Sequence, residues 1–84
     1  MNYDYYDGDR GVERREDILD FIIQFITENN YPPSIREIAQ GVGLKSIESV
    51  KYYLKILERN KKIKMKPNLS RTISVVGYEF RKAE

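Results

Sequence analysis

Residues 31–54 read YPPSIREIAQGVGLKSIESVKYYL. Pro32 and Pro33 lack backbone donors and push the residue before them out of the α region, so an earlier helix must end here. Ser34, followed three residues later by Glu37, has the pattern of a capping box, in which each residue satisfies an amide that the other leaves bare. Ile35, Ile38, Ala39 and Val42 then recur at the spacing of a helix with one buried face. Gly41 or Gly43 can take the positive φ that stops it. Leu44 plugs the corner and Lys45 faces out. Ser46 caps a further helix that runs to about Asn60, with Ile47, Val50, Leu54 and Leu57 as its buried seam. The stretch therefore predicts two short helices braced across the four residues Gly41–Leu44.

Upstream, Ile18, Leu19, Ile22 and Ile26 fall at helical spacing and predict an amphipathic helix over about residues 12–29. Ile23 and Phe25 widen its apolar stripe, either as extra core packing or as a second contact surface. Residues 1–11 alternate tyrosine and aspartate with no period that would bury a face, and are expected to form a flexible tail. Downstream of Asn60 the period changes to two. Lys62–Lys66 and Arg71–Val76 predict two short strands around a Pro67-Asn68 turn, with Ile63 and Met65 on one face and Lys62, Lys64 and Lys66 on the other. Residues 77–84 are expected to trail off, with Tyr78 and Phe80 available to pack back. The organisation is thus a tail, one domain over residues 12–76, and a second tail.

Composition narrows the function. The 84 residues contain no cysteine and no histidine. Disulfides, thiolate chemistry and the commonest metal ligand are therefore unavailable, and neither an enzyme nor a cofactor is expected. No segment approaches the roughly 20 apolar residues needed to span a bilayer, and the N-terminus does not resemble a signal peptide. The expectation is a cytoplasmic, nucleoid-associated protein without a membrane partner.

The net charge of +2 hides a division along the chain. Residues 1–44 hold four arginines against nine carboxylates, a net −5, whereas residues 45–84 hold eleven Lys and Arg against four glutamates, a net +7. A basic half is the footprint of something that meets phosphates.

Three helices followed by a basic hairpin predict a mostly α fold with a small β-hairpin, the order of a winged helix-turn-helix with a two-stranded wing. In that arrangement the second helix props the third so that its outer face enters a major groove. The side chains expected on that face are Ser46, Glu48, Ser49, Lys51, Tyr52 and Lys55. Glu48 can accept from a cytosine amino group or simply sit at the positive helix N-terminus. Ser49 can bond to either base edge, Lys51 and Tyr52 can meet bases or phosphates, and Ser46 can act as a cap alone. Ser34, Arg36, Lys45, Lys64, Lys66 and Arg71 are candidates for backbone contacts that fix register without reading sequence. Arg36 has an alternative in pairing with Glu37 or Asp20, and the wing lysines in guarding an exposed strand edge.

The segments YPPSIREIAQGVGLKS and VKYYLKILERNKKI resemble the N-terminal DNA-binding domain of the LexA repressors, across about residues 12–76. The resemblance implies a winged helix that represses transcription as a dimer on a two-fold operator. Its partners would be double-stranded DNA, as an inverted repeat, and a second copy of the chain. LexA proteins continue into a peptidase domain with a serine-lysine dyad that cleaves its own linker and supplies most of the dimer interface. A chain ending at Glu84 is expected to lack both. Ile47 stands where the family usually has proline, and Lys51 and Tyr52 differ from its common residues, so the family's CTG-type operator is not carried over. The competing expectation is a protein-interaction adaptor or anti-repressor on the same scaffold, favoured by Tyr3, Tyr5, Tyr6, Ile23 and Phe25.

Overall fold

A computed structural model describes residues 8–78. The elements follow in the order α1 (Gly8–Asn29), α2 (Ile35–Val42), α3 (Ile47–Arg59), β1 (Ile63–Lys64) and β2 (Ser74–Val75). This is the expected three-helix domain with a two-stranded antiparallel wing. Tyr3, Tyr5, Tyr6 and Phe80 lie outside the described residues.

α1 begins four residues earlier than its apolar period suggested, because Gly8–Gly11 carry no apolar repeat to mark them as helical. Its seam of Ile18, Ile22 and Ile26 is buried, as expected. Ile23 and Phe25 are half-buried, and Ile23 packs against the core. The Phe25 ring lies 5.8 Å from Phe21 and 5.6 Å from Tyr31, centroid to centroid.

The three helices are closed by left-handed residues. Asn30 has φ 65° and its amide donates to the Ile26 carbonyl at 2.8 Å, after which Tyr31, Pro32 and Pro33 lead into the next helix. The predicted capping box of α2 is present: the Ser34 hydroxyl accepts from the Glu37 amide at 3.1 Å, and the Glu37 carboxylate accepts from the Ser34 amide at 2.9 Å. Gly43, with φ 76°, ends α2, and the Leu44 amide reaches back to the Ala39 carbonyl at 2.9 Å. Gly41 lies inside α2, so the corner runs over Gly43–Ser46, two residues later than predicted. Lys61, with φ 62°, closes α3. The Lys61 amide donates to Glu58 and the Lys62 amide to Leu57, which reverses the chain directly into β1.

Ile38 and Ala39 of α2 meet α1 and α3 in one core, joined by Ile63, Ile73 and Val75 from the wing. α3 buries Val50, Tyr53, Leu54 and Leu57. Ile47, predicted as part of this seam, is only half-buried and packs against the core from its edge. Tyr53 instead fills the i, i+3, i+4, i+7 stripe that begins at Val50.

The wing ladder is shorter than the alternation implied. Ile63 pairs with Val75 and Lys64 with Ser74, and Ile63 faces inward while Lys64 faces out. Beyond Lys64 the strands part. Pro67 has no donor, Asn68 and Arg71 have φ of 63° and 57°, and the Thr72 hydroxyl replaces the ladder by accepting from the Lys66 amide at 3.0 Å. Among the described residues, no helix is long and apolar enough to cross a membrane.

Candidate nucleic-acid interface

The first turn of α3 is built by Ser46. Its Oγ accepts from the amides of Glu48 at 3.1 Å and Ser49 at 3.3 Å, leaving the hydroxyl proton as the group that can still be offered outward. From there Glu48, Lys51, Lys55 and Glu58 form an exposed stripe opposite the buried seam. Lys51 Nζ lies 3.7 Å from Glu48 Oε2, and both side chains are more than half exposed. In water such a pair is weak and exchanges readily with other partners.

Two expectations on this helix change. Ser49, expected on the outward face, is 8% exposed and belongs to the buried side of α3 beside Val50 and Tyr53. Its position, one residue after Glu48 and four before Tyr53, turns it about 100° away from the outward stripe. Tyr52 is half-buried, with its ring edge-on to Tyr53 at 5.2 Å, so it borders the exposed stripe instead of standing free on it.

The wing stands beside α3. Lys51 and Lys55 share a shallow groove with Glu58, Ile35, Met65, Pro67 and Asn68, and Lys51 and Lys66 share the adjoining hollow towards Pro33 and Thr72. Three lysines from α3 and the wing are thus brought to one concave surface, floored by the apolar side chains of Ile35 and Met65. Lys64 is exposed on β1, but it does not line either hollow. Lys45 is exposed in the corner before α3. Among the described residues, Arg36 is exposed and pairs with neither Glu37 nor Asp20. The amide and side-chain oxygen of Ser34 are engaged in the capping box, which again leaves a hydroxyl proton.

Arg71, expected among the wing's candidates for backbone contacts, has its guanidinium gripping Glu37 with both arms. Nη1 donates to Oε1 and Nη2 to Oε2, each at 2.9 Å, and Nη1 also donates to the Pro32 carbonyl at 3.1 Å. Its Cζ lies 5.0 Å from the Tyr31 ring centroid. The Arg71 hydrogen bond, followed by the Ser34 amide, lowers the Glu37 pKa, while the carboxylate raises that of Arg71. Nothing local in the sequence marks this bond, whose partners are 34 residues apart.

Among the described residues, no group of three or more acidic, His or Cys side chains is placed to hold a metal. The surface offers donors and positive charge instead, with Glu48 and Glu58 as the acceptors on α3.

The family model for the LexA DNA binding domain matches residues 12–72. The chain is 46% identical over 68 residues to the LexA repressor of Mycobacterium leprae, covering 81% of this chain and 29% of that protein. It is 45% identical over 68 residues to the LexA repressor of Bacillus cytotoxicus, covering 81% of this chain and 33% of that protein. It is 46% identical over 66 residues to the LexA repressor of Mycobacterium tuberculosis, covering 79% and 28%. The aligned part spans about a third or less of these relatives' lengths. With α2, the corner and α3 all inside the matched region, the chain belongs to the LexA DNA-binding domain family.

Proposed function

We propose that this chain binds double-stranded DNA sequence-specifically and acts as a transcriptional repressor. α3 lies in the major groove, and the wing lies against the adjoining backbone. The observation that carries this reading is the convergence of Lys51, Lys55 and Lys66 from two separate elements on the exposed side of α3, within a fold of this family. Positive charge gathered beside an exposed helix fits phosphates flanking a groove about 12 Å wide. Glu48 and Lys51 are the pair suited to base edges: the carboxylate accepts from a cytosine amino group, and the ammonium donates to guanine O6 or N7. Lys45, Lys64, Lys66 and Arg36 serve the backbone, with Ser46 and Ser34 each contributing a hydroxyl proton. Two copies on an inverted repeat complete the reading, by analogy with the repressors it resembles.

Selection of bound duplexes from a random pool at near-physiological salt tests it. An enriched inverted repeat with fixed spacing is expected. A flat pool, together with affinity that does not fall as salt rises, would overturn the reading.

A further inference from the structure

A continuous series of contacts runs from the first turn of α2 to the wing. Glu37 is shared between two tasks: its Oε1 accepts from the Ser34 amide, and both its oxygens accept from Arg71. Arg71 is held from two further sides, by the Pro32 carbonyl and by the Tyr31 ring. Its backbone has φ 57°, a conformation uncommon for a residue with a side chain and sustained only where surrounding contacts enforce it. Thr72, the next residue, then fixes the opposite arm of the wing. Its Oγ1 accepts from the Lys66 amide at 3.0 Å and lies 3.3 Å from the carbonyls of Lys66 and Leu69. Beyond the short ladder of β1 and β2, these side-chain bonds replace strand pairing.

We propose that Arg71 is a positioning residue, which through Glu37 on one side and Thr72 on the other holds the wing so that Lys66 stands beside Lys51. Its own charge is matched by the carboxylate it grips, and three of its five N–H donors are taken by Glu37 and Pro32, so it supplies the wing's geometry more than its attraction for phosphate. The inference rests on the reading of α3 and the wing as the DNA-binding surface.

Electrostatics and positioning predict opposite signs for one substitution. Glu37→Gln removes a negative charge close to the binding surface, and attraction alone would then tighten DNA binding. If the pin places Lys66, the same change weakens it. Glutamine still serves as the capping-box acceptor, so α2 keeps its start.

The experiment compares wild type, E37Q, K66A and the double variant on a labelled mixed-sequence duplex across a salt series, with circular dichroism melts confirming that each is folded. K66A alone is expected to weaken binding on the order of fivefold to tenfold at about 0.1 M salt and to lower the salt slope by about 0.9. E37Q is expected to weaken binding as well, and K66A to cost little more in its background. Thr72→Val breaks the second half of the series while leaving Glu37 and Arg71 intact, and is expected to show the same non-additivity with K66A. If K66A weakens binding while E37Q matches or exceeds wild type, the pin's role is overturned and the wing reading stands. If the losses from E37Q and K66A simply add, the pin supports only the fold, and the proposal fails. If K66A changes nothing in the wild-type background, the wing reading falls first and the pin's role with it.

Discussion

The Phe21 ring occupies the space in which a side chain at Gly41 would sit: a Cβ built there would lie 2.6 Å from both Cδ1 and Cζ of the ring. This glycine does not end its helix. It lets α1 and α2 approach, and the ring it admits is the first of a row, Phe21, Phe25 and Tyr31, that ends under Arg71. The packing of α1 on α2 is thereby joined to the pin that holds the wing.

Gly41→Ala tests that approach. Alanine gains about 1 kcal/mol of helix propensity over glycine. Forcing a methyl group into a filled site costs about 1–3 kcal/mol, and the ring cannot retreat freely because it packs against Phe25. The net expectation is a lower melting temperature, and most of the loss should vanish in a Phe21→Leu background. Equal losses in both backgrounds would mean that the ring is not the obstacle.

The left-handed caps give a contrasting pair. Gly43 has open space around it, so Gly43→Ala should destabilise through backbone conformation alone, by about 1–2 kcal/mol. Lys61 adopts the same conformation with a side chain, and Lys61→Gly should therefore stabilise, by about 0.5–1 kcal/mol after the entropy of glycine is counted. Chemical denaturation of the two variants checks the signs, and a stabilising Gly43→Ala would contradict the geometry.

On α3, burial separates two residues that a linear reading placed together. Ser49→Ala should leave the selected DNA sequence unchanged, since the side chain is on the buried side. Lys51→Ala should relax the preference at one base pair, at about 1–3 kcal/mol if it makes a base contact. Repeating the duplex selection with each variant reads this out, and a shifted motif for Ser49→Ala would mean that α3 rotates on binding DNA.

Acid should act on the pin. The Glu37 pKa is lowered from its usual 4.5, first by the Arg71 hydrogen bond. A carboxylate with a lowered native pKa stabilises the fold above its unfolded value, and that contribution is lost as pH falls through the native value. Arg71 stays charged throughout. Thermal melts taken from about pH 6 to about pH 3 should show wild type losing its advantage over Glu37→Gln, the two curves converging in acid. A constant gap between them would show that the Glu37 charge does not matter to stability.

The sequence by itself determined the elements, because their signals are local. The Ser34/Glu37 box, the Ser46 cap, the proline break and the 3.6-residue spacing of Ile18, Ile22, Ile26, Val50, Leu54 and Leu57 each act within a few residues. The change of period after Asn60 announced the wing, and the charge division marked the half of the chain that carries it. Only the tertiary structure decided what depends on where the elements meet. It placed Tyr53 in the core and Ile47 at its edge, turned Ser49 inward, filled the space over Gly41 with Phe21, and gave Arg71 to Glu37. A helical period specifies which residues share a face, but it cannot fix within one residue where the core's edge falls. A pair of opposite charges 34 residues apart finds its geometry only once α2 and the wing are packed on the same core.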